Sequence, residues 1–269
     1  MNKVHIVTVS TDSKFYFPYL KATCSKFGAS VTVLGFGQKW GGYVWKFKQM
    51  IEFLKSIPKT DIVCFVDGYD VVCTRDLSQL GSEFLKIKER VGCDIIIAKD
   101  YDMPRILTPV LQLYFGTCQK TRLNSGTYIG LAGDLLTILS EATVSHPNEM
   151  DDQKLITGYC KLNPSKFYID VDCKFFYVSL LPMTELSFPK GGETPFFVHA
   201  AGCGYLTNVL TGMGYDVDPT IKKDLKRYFI KKEYGHVATF FQRYILFILI
   251  FIIGCVLVKR WYSRTETPT

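Results

Sequence analysis

Two carboxylates, Asp67 and Asp70, stand three residues apart directly after the apolar run IVCFV (62–66). Acids at the mouth of a buried strand are costly unless something compensates them. A divalent cation bound to a phosphate does so, because it takes oxygen ligands and keeps positions open for substrate. A plain turn built from Asp and Gly is the simpler alternative at this spacing. His199 follows a second apolar run, PFFV (195–198), and precedes Ala-Ala-Gly. Alone, such a histidine is more often structural. Together with Asp67 and Asp70, a neutral imidazole completes a mixed O,O,N ligand set suited to manganese.

Two further clusters suit a hydroxyl-rich ligand. In Leu123-Asn-Ser-Gly-Thr-Tyr-Ile-Gly130, backbone can approach a ligand closely at Gly126, while the Asn124 amide and Ser125 hydroxyl can bind sugar or phosphate oxygens. Asp151-Asp152-Gln153 opens a helical pattern, where carboxylates are ordinary capping groups. Two adjacent acids and an amide also suit sugar recognition or acid/base work. No convincing Ser, Cys and His set for nucleophilic catalysis stands out.

The elements that must carry these residues alternate β-branched runs with amphipathic stretches, the pattern of a layered α/β domain with a mostly parallel sheet. Strands are expected at 4–9, 31–34, 62–66, 95–98, 128–131 and 196–198, and helices at 15–27, 44–55, 77–90, 135–142 and 153–159. Acids and small polar residues then fall beyond the carboxyl ends of strands or before them, where open α/β sheets bind ligands.

Length and charge bound the remaining possibilities. A chain of 269 residues with 48% hydrophobic and 21% charged side chains is an ordinary folded protein of one large domain or two small ones. The net charge of +7 does not indicate nucleic-acid binding, because residues 1–221 balance 22 basic against 22 acidic side chains. The excess surrounds the apolar run Tyr244–Val258, which points to a membrane surface. Fifteen residues span roughly 22 Å as a helix, and the flanking Arg243, Lys259, Trp261 and Tyr262 suit an interface. This predicts a globular domain over 1–221, a basic juxtamembrane segment over 222–243, a single C-terminal transmembrane anchor over 244–258 and a basic tail over 259–269. MNKVHIVTVS lacks the apolar core of a signal peptide, so a tail anchor with a cytosolic body is expected. The nine cysteines contain no CxxC, and buried thiols in a reducing compartment are expected.

In order, LGFGQKWGG (34–42), IVCFVDGYDVV (62–72), LNSGTYIGLA (123–132), DDQ (151–153) and FVHAAGCG (197–204) resemble the glycosyltransferase domain of procollagen lysyl hydroxylases (PLOD-type) and its stand-alone relatives. The resemblance covers residues 3–205 and implies a GT-A fold, with a Rossmann-type mixed sheet flanked by helices. It also implies a UDP-sugar bound through manganese and glycosylation of hydroxylysine in collagen. Residue by residue, it implies Asp67, Asp70 and His199 as metal ligands and Tyr69 as a stacking partner for uracil. Thr8, Lys46, Asp67, Gln153 and Gly202 become contacts to the nucleotide sugar. Asn124, Asp151 and Asp152 face the donor sugar, with Asp152 the first choice among acids near the anomeric carbon. Where the family carries an acid-containing segment with Cys-Trp-Pro near the acceptor, this chain reads AKDYDMPRILTP (98–109). No hydroxylase domain, and so no iron and 2-oxoglutarate chemistry, is expected.

The leading expectation is a membrane-tethered, Mn2+-dependent glycosyltransferase using UDP-glucose or UDP-galactose. Its acceptor hydroxyl would be on a protein or a glycan, with hydroxylysine of a collagen-like protein, or its galactoside, implied by the resemblance. The alternative is a catalytically degenerate GT-A fold kept as a membrane-anchored binding or scaffold protein. An anchored nucleotide-sugar hydrolase comes third.

Overall fold

The computed structural model describes residues 2–101, 108–146, 149–179, 185–187, 193–202 and 204–231, together with Ile253. In chain order the elements are β1 (Val4–Val9), α1 (Phe17–Lys26), β2 (Val31–Leu34), α2 (Tyr43–Lys55), β3 (Ile62–Val66), β4 (Val71–Cys73), α3 (Leu80–Val91), β5 (Ile95–Lys99), α4 (Thr108–Phe115), β6 (Leu123–Leu131), α5 (Ala132–Ser145), α6 (Asp152–Leu162), β7 (Phe167–Asp170), β8 (Phe176–Val178), β9 (Phe197–His199) and α7 (Thr207–Gly212). They belong to one compact unit, Met1–Lys222; a second unit, Lys223–Thr269, is helical over its described residues 223–231.

Six strands form a mixed sheet in the order β2-β1-β3-β6-β5-β7. β1 pairs in parallel with β2 and β3, and β5 with β7, but β6 runs antiparallel to both of its neighbours, β3 and β5. The alternation of side chains along central strands divides the core in two. Val7, Val63, Phe65, Ile95, Ile97 and Tyr128 pack on one face, under α2, α5 and α6. Ile6, Cys64, Val66, Ile96 and Ile129 pack on the other, with α1 and α3 and a smaller sheet of order β4-β9-β8.

The sheet is mixed, as the resemblance implies: three of its five pairings are parallel, and β6 runs antiparallel to both of its neighbours. LNSG is not a turn before a strand: β6 begins at Leu123, and residues 123–130 are all buried. Small polar residues are tolerated there because β6 is paired on both sides, and a register shift in the β5 pairing falls at Ile97 and Ala98. The short strands β4, β7 and β8, of three or four residues each, were not expected from the sequence. Pairing in the small sheet, and the Asp170 carboxylate accepting from the N–H groups of Lys174, Phe175 and Phe176, set their place instead.

Of the expected anchor, Tyr244–Val258, Ile253 alone is among the described residues; the tail beyond it and most of the juxtamembrane segment lie outside them. Among the described residues no helix is long and apolar enough to cross a membrane.

The expectation that the cysteines remain thiols is corrected for one pair. Cys118 and Cys160, with Cα atoms 5.9 Å apart, form a disulfide across 42 residues of sequence. Spacing along the chain gave no sign of it, because the pair meets only once α6 has packed against the approach to β6. Cys24, Cys64, Cys73 and Cys93 are buried free thiols. Closing a loop of this size restricts the unfolded chain, so Cys118→Ser with Cys160→Ser is expected to lower stability by about 2–4 kcal/mol in urea unfolding. An identical midpoint for that variant and the unreduced parent would show that the bond does not form.

Candidate active site

The site is assembled where strands end. β3 stops at Val66, and the next N–H, that of Asp67, donates to Gly126 O at 2.8 Å, so the antiparallel pairing with β6 continues to this point. Four residues later β4 begins, and its first residue, Val71, pairs with His199 of β9. Ala200 N donates to Asp70 O at 2.8 Å. Backbone pairing alone therefore brings His199 to Asp70, although 128 residues separate them in sequence.

The side chains complete the arrangement. His199 Nε2 lies 3.3 Å from Asp70 Oδ1 and 3.9 Å from Asp67 Oδ2. One ligating atom from each of Asp67, Asp70 and His199 falls within 4.8 Å of the others. The imidazole is buried, whereas the two acid side chains remain 29% and 21% exposed, so the cluster is open from the acid side. Burial pushes the Asp67 carboxyl above the usual carboxylate range; Lys46 opposes this and Asp70 adds to it. Burial alone would lower the His199 pKa, but the charge and hydrogen bond of Asp70, then the charge of Asp67, raise it above the ordinary imidazole value. Two oxygens and one ring nitrogen at this separation are a fitting donor set for a borderline or hard divalent cation.

Gly126 makes the closeness possible. A Cβ built there would overlap both His199 Cε1 and Asp67 Oδ2. The requirement is for space and not for an unusual backbone angle.

Beside the triad lies a second polar group. Lys46, buried in the first turn of α2, places its ammonium 2.9 Å from Asp67 Oδ1 and 2.6 Å from Asp152 Oδ2. The loop before α2 is brought close by Gly41, where a Cβ would collide with Trp45. Asp151 is the N-cap of α6, its carboxylate accepting from the N–H groups of Gln153 and Lys154, and that cap points Asp152 toward Lys46. Asn124 accepts from Gly126 N at 2.9 Å and donates to Asp100 Oδ1 at 3.3 Å, and Gln153 Nε2 approaches Asp100 Oδ2 at 3.5 Å.

Asp100 was missed by the sequence reading. It is buried and held by Arg122 at 3.2 Å, and its carboxyl is raised by burial against the pull of that guanidinium. The signal was available: Asp100 follows the buried strand β5 as Asp67 follows β3. Residues 102–107 of the segment expected near an acceptor lie outside the described residues.

The remaining candidates sit around this core. Tyr69 is pinned to the loop after β1: its hydroxyl accepts from Thr11 N at 3.0 Å and donates to Asp12 Oδ1 at 3.1 Å, and Phe15 meets the ring edge-on. Thr8 is fully buried beneath Gly68, its hydroxyl without a hydrogen-bond partner among the described residues. Gly202 lies in an exposed turn three residues beyond His199. Asp67, Asp70, His199, Lys46, Asp152, Gln153 and Asn124 are thus brought together, with Tyr69 and Thr8 flanking.

The mixed α/β domain thus carries a carboxylate–carboxylate–imidazole cluster at its strand ends, a possible metal site. The chain belongs to the family described as the PLOD GT domain, whose model matches residues 1–177. That match holds every candidate except His199 and Gly202. A procollagen-lysine,2-oxoglutarate 5-dioxygenase of Drosophila melanogaster is 29% identical over 168 residues, 58% of this chain but 22% of that protein. The chain therefore spans about a fifth of the length of this relative. A crystal structure of a glycosyltransferase involved in glycosylation of the major capsid of PBCV-1 aligns with a TM-score of 0.49 at 14% identity, over 74% of this chain and 94% of that one.

Gly126→Ala should separate His199 from Asp67 and weaken binding of a divalent cation by about tenfold or more, read by Mn2+ titration. Unchanged affinity would show that the two side chains do not share a ligand.

Proposed function

We propose that this chain transfers a hexose, glucose or galactose, from a UDP-sugar to an acceptor hydroxyl, with Mn2+ held by Asp67, Asp70 and His199. The observation that carries the reading is the convergence of these three ligating atoms within 4.8 Å at the strand ends, with the Asp152 carboxylate joined to Asp67 through Lys46. A bound divalent cation supplies neutralisation of the charge that develops on a departing diphosphate.

The chain's own residues supply the rest. The Tyr69 hydroxyl is tethered to Thr11 and Asp12, which fixes the ring as a platform for the base. Thr8 would contact the nucleotide from beneath Gly68, and Lys46 offers an ammonium to its phosphates. Asn124 and Gln153, oriented by Asp100, present amides to sugar hydroxyls. Asp152 stands as the acid nearest the anomeric carbon, while Asp151 holds the helix end that aims it. The work left to the protein is to hold an acceptor hydroxyl against the sugar, and such positioning is worth several kcal/mol.

The acceptor in this reading is a hydroxyl on a protein, hydroxylysine in a collagen-like sequence or its galactoside. The name of the Drosophila relative, a procollagen-lysine dioxygenase, supports that choice. We further propose that Tyr244–Val258 anchors the domain to a membrane, supported by its apolar run and basic flanks. Disulfides persist in oxidising surroundings, so Cys118–Cys160 favours the non-cytosolic face for the body over the cytosolic one expected from the N-terminal sequence.

UDP release from UDP-glucose and UDP-galactose, measured with Mn2+ or with EDTA, tests the reaction. Release should require the metal and fall by about a hundredfold or more in Asp70→Ala and in His199→Ala. Release indifferent to EDTA and to both substitutions would refute the assignment.

A further inference from the structure

Lys46 is an ammonium buried among charges. Its side chain is 5% exposed, lies between Asp67 Oδ1 and Asp152 Oδ2, and sits over the Phe65 ring, 5.2 Å from its centroid. Phe65 in turn stacks on Tyr128, whose buried hydroxyl has no hydrogen-bond partner among the described residues. The Asp152 and Asp67 carboxylates, 2.6 Å and 2.9 Å away, compensate the buried charge. One of its three N–H donors is committed to Asp67 Oδ1, and Asp152 Oδ2 is held against the ammonium as an ion pair.

Asp67 is divided between two partners. Its Oδ1 faces Lys46, and its Oδ2 faces His199 across the triad. One carboxylate therefore serves a fixed monovalent cation with one oxygen and the candidate metal position with the other. Two cations that share a carboxylate in a partly desolvated place repel each other appreciably, whereas an anionic diphosphate is attracted by both.

We propose that Lys46 is a fixed counter-cation: it positions Asp67 and Asp152, and its charge tunes the triad against a divalent cation alone and toward a divalent cation together with an anionic nucleotide. This role goes beyond a contact to the nucleotide and rests on the reading of Asp67, Asp70 and His199 as a metal site. A lysine that only touched phosphate would affect nucleotide binding and leave the affinity for the bare ion unchanged. The counter-cation makes the two effects opposite in sign.

The test uses the full chain. Mn2+ is titrated without nucleotide and followed through the electron paramagnetic resonance of the free ion; UDP is then titrated calorimetrically at saturating Mn2+. Lys46→Met should bind Mn2+ alone roughly tenfold or more tighter and, with Mn2+ present, UDP roughly tenfold weaker. Lys46→Arg, which keeps the charge, should return both toward the parent values. Because Lys46→Met leaves two acids without their partner, the same substitution is also made in an Asp152→Asn background, where less charge is stranded. Mn2+ should again bind tighter than in Asp152→Asn alone. Absence of tightening in both backgrounds, in protein with a cooperative thermal transition, overturns the proposal. If the parent itself fails to bind millimolar Mn2+, the metal-site reading falls and takes this inference with it. A parent that binds Mn2+, with no effect of Lys46, removes the inference alone.

Discussion

Three carboxylates, those of Asp67, Asp70 and Asp152, are drawn together at one end of the sheet, and like charges in partly desolvated positions must be compensated. The surrounding structure answers that constraint. Lys46 lies between two of the acids, His199 lies against Asp70 and Asp67, and both of those acids remain partly exposed. A short polar chain from Gln153 through Asp100 and Asn124 to Gly126 then links the start of α6 to the strand beside the triad. Buried polar groups of this kind are stable when their members are paired, and pairing fixes their geometry.

The constraint also explains the topology. Lys46 comes from α2, Asp67 and Asp70 from either side of the β3–β4 turn, Asn124 and Gly126 from β6, Asp152 from α6 and His199 from β9. No local segment could hold that set. The antiparallel placement of β6 between β3 and β5 brings Gly126 opposite Asp67, and the small three-stranded sheet brings His199 beside Asp70. Each member of the triad lies in or beside a backbone pairing, so its place is set by the sheets as well as by side-chain contacts.

Much of this was legible in the chain. The long buried strands declared themselves by apolar runs, and Asp67, Asp70 and His199 were conspicuous because each follows such a run. Asp100 obeys the same rule after β5 but went unread, since it is embedded in a segment notable for other departures. Gly126 was anticipated as a place where a ligand could come close. What it admits is the His199 ring and the Asp67 carboxylate, a fact that only the β3–β6 pairing determines. Asp151 and Asp152 are adjacent in sequence and offered the same chemistry there. A helix start turns one to the backbone and the other to Lys46, because the N-cap and the first helical residue point in different directions. The pairing of Cys118 with Cys160 had no local signature at all.

That disulfide has a topological meaning beyond its effect on stability. The covalent ring it closes contains Arg122, Asn124, Gly126, Tyr128, Asp151, Asp152 and Gln153, many of the residues packed around the acid–histidine cluster. Within the ring, Val144 in the last turn of α5 and Met150 just before α6 are exposed. A protease that cut there would open the ring without dividing the molecule. The two fragments would stay tethered through sulfur, each end of the site kept within reach of the other, and would part only on reduction.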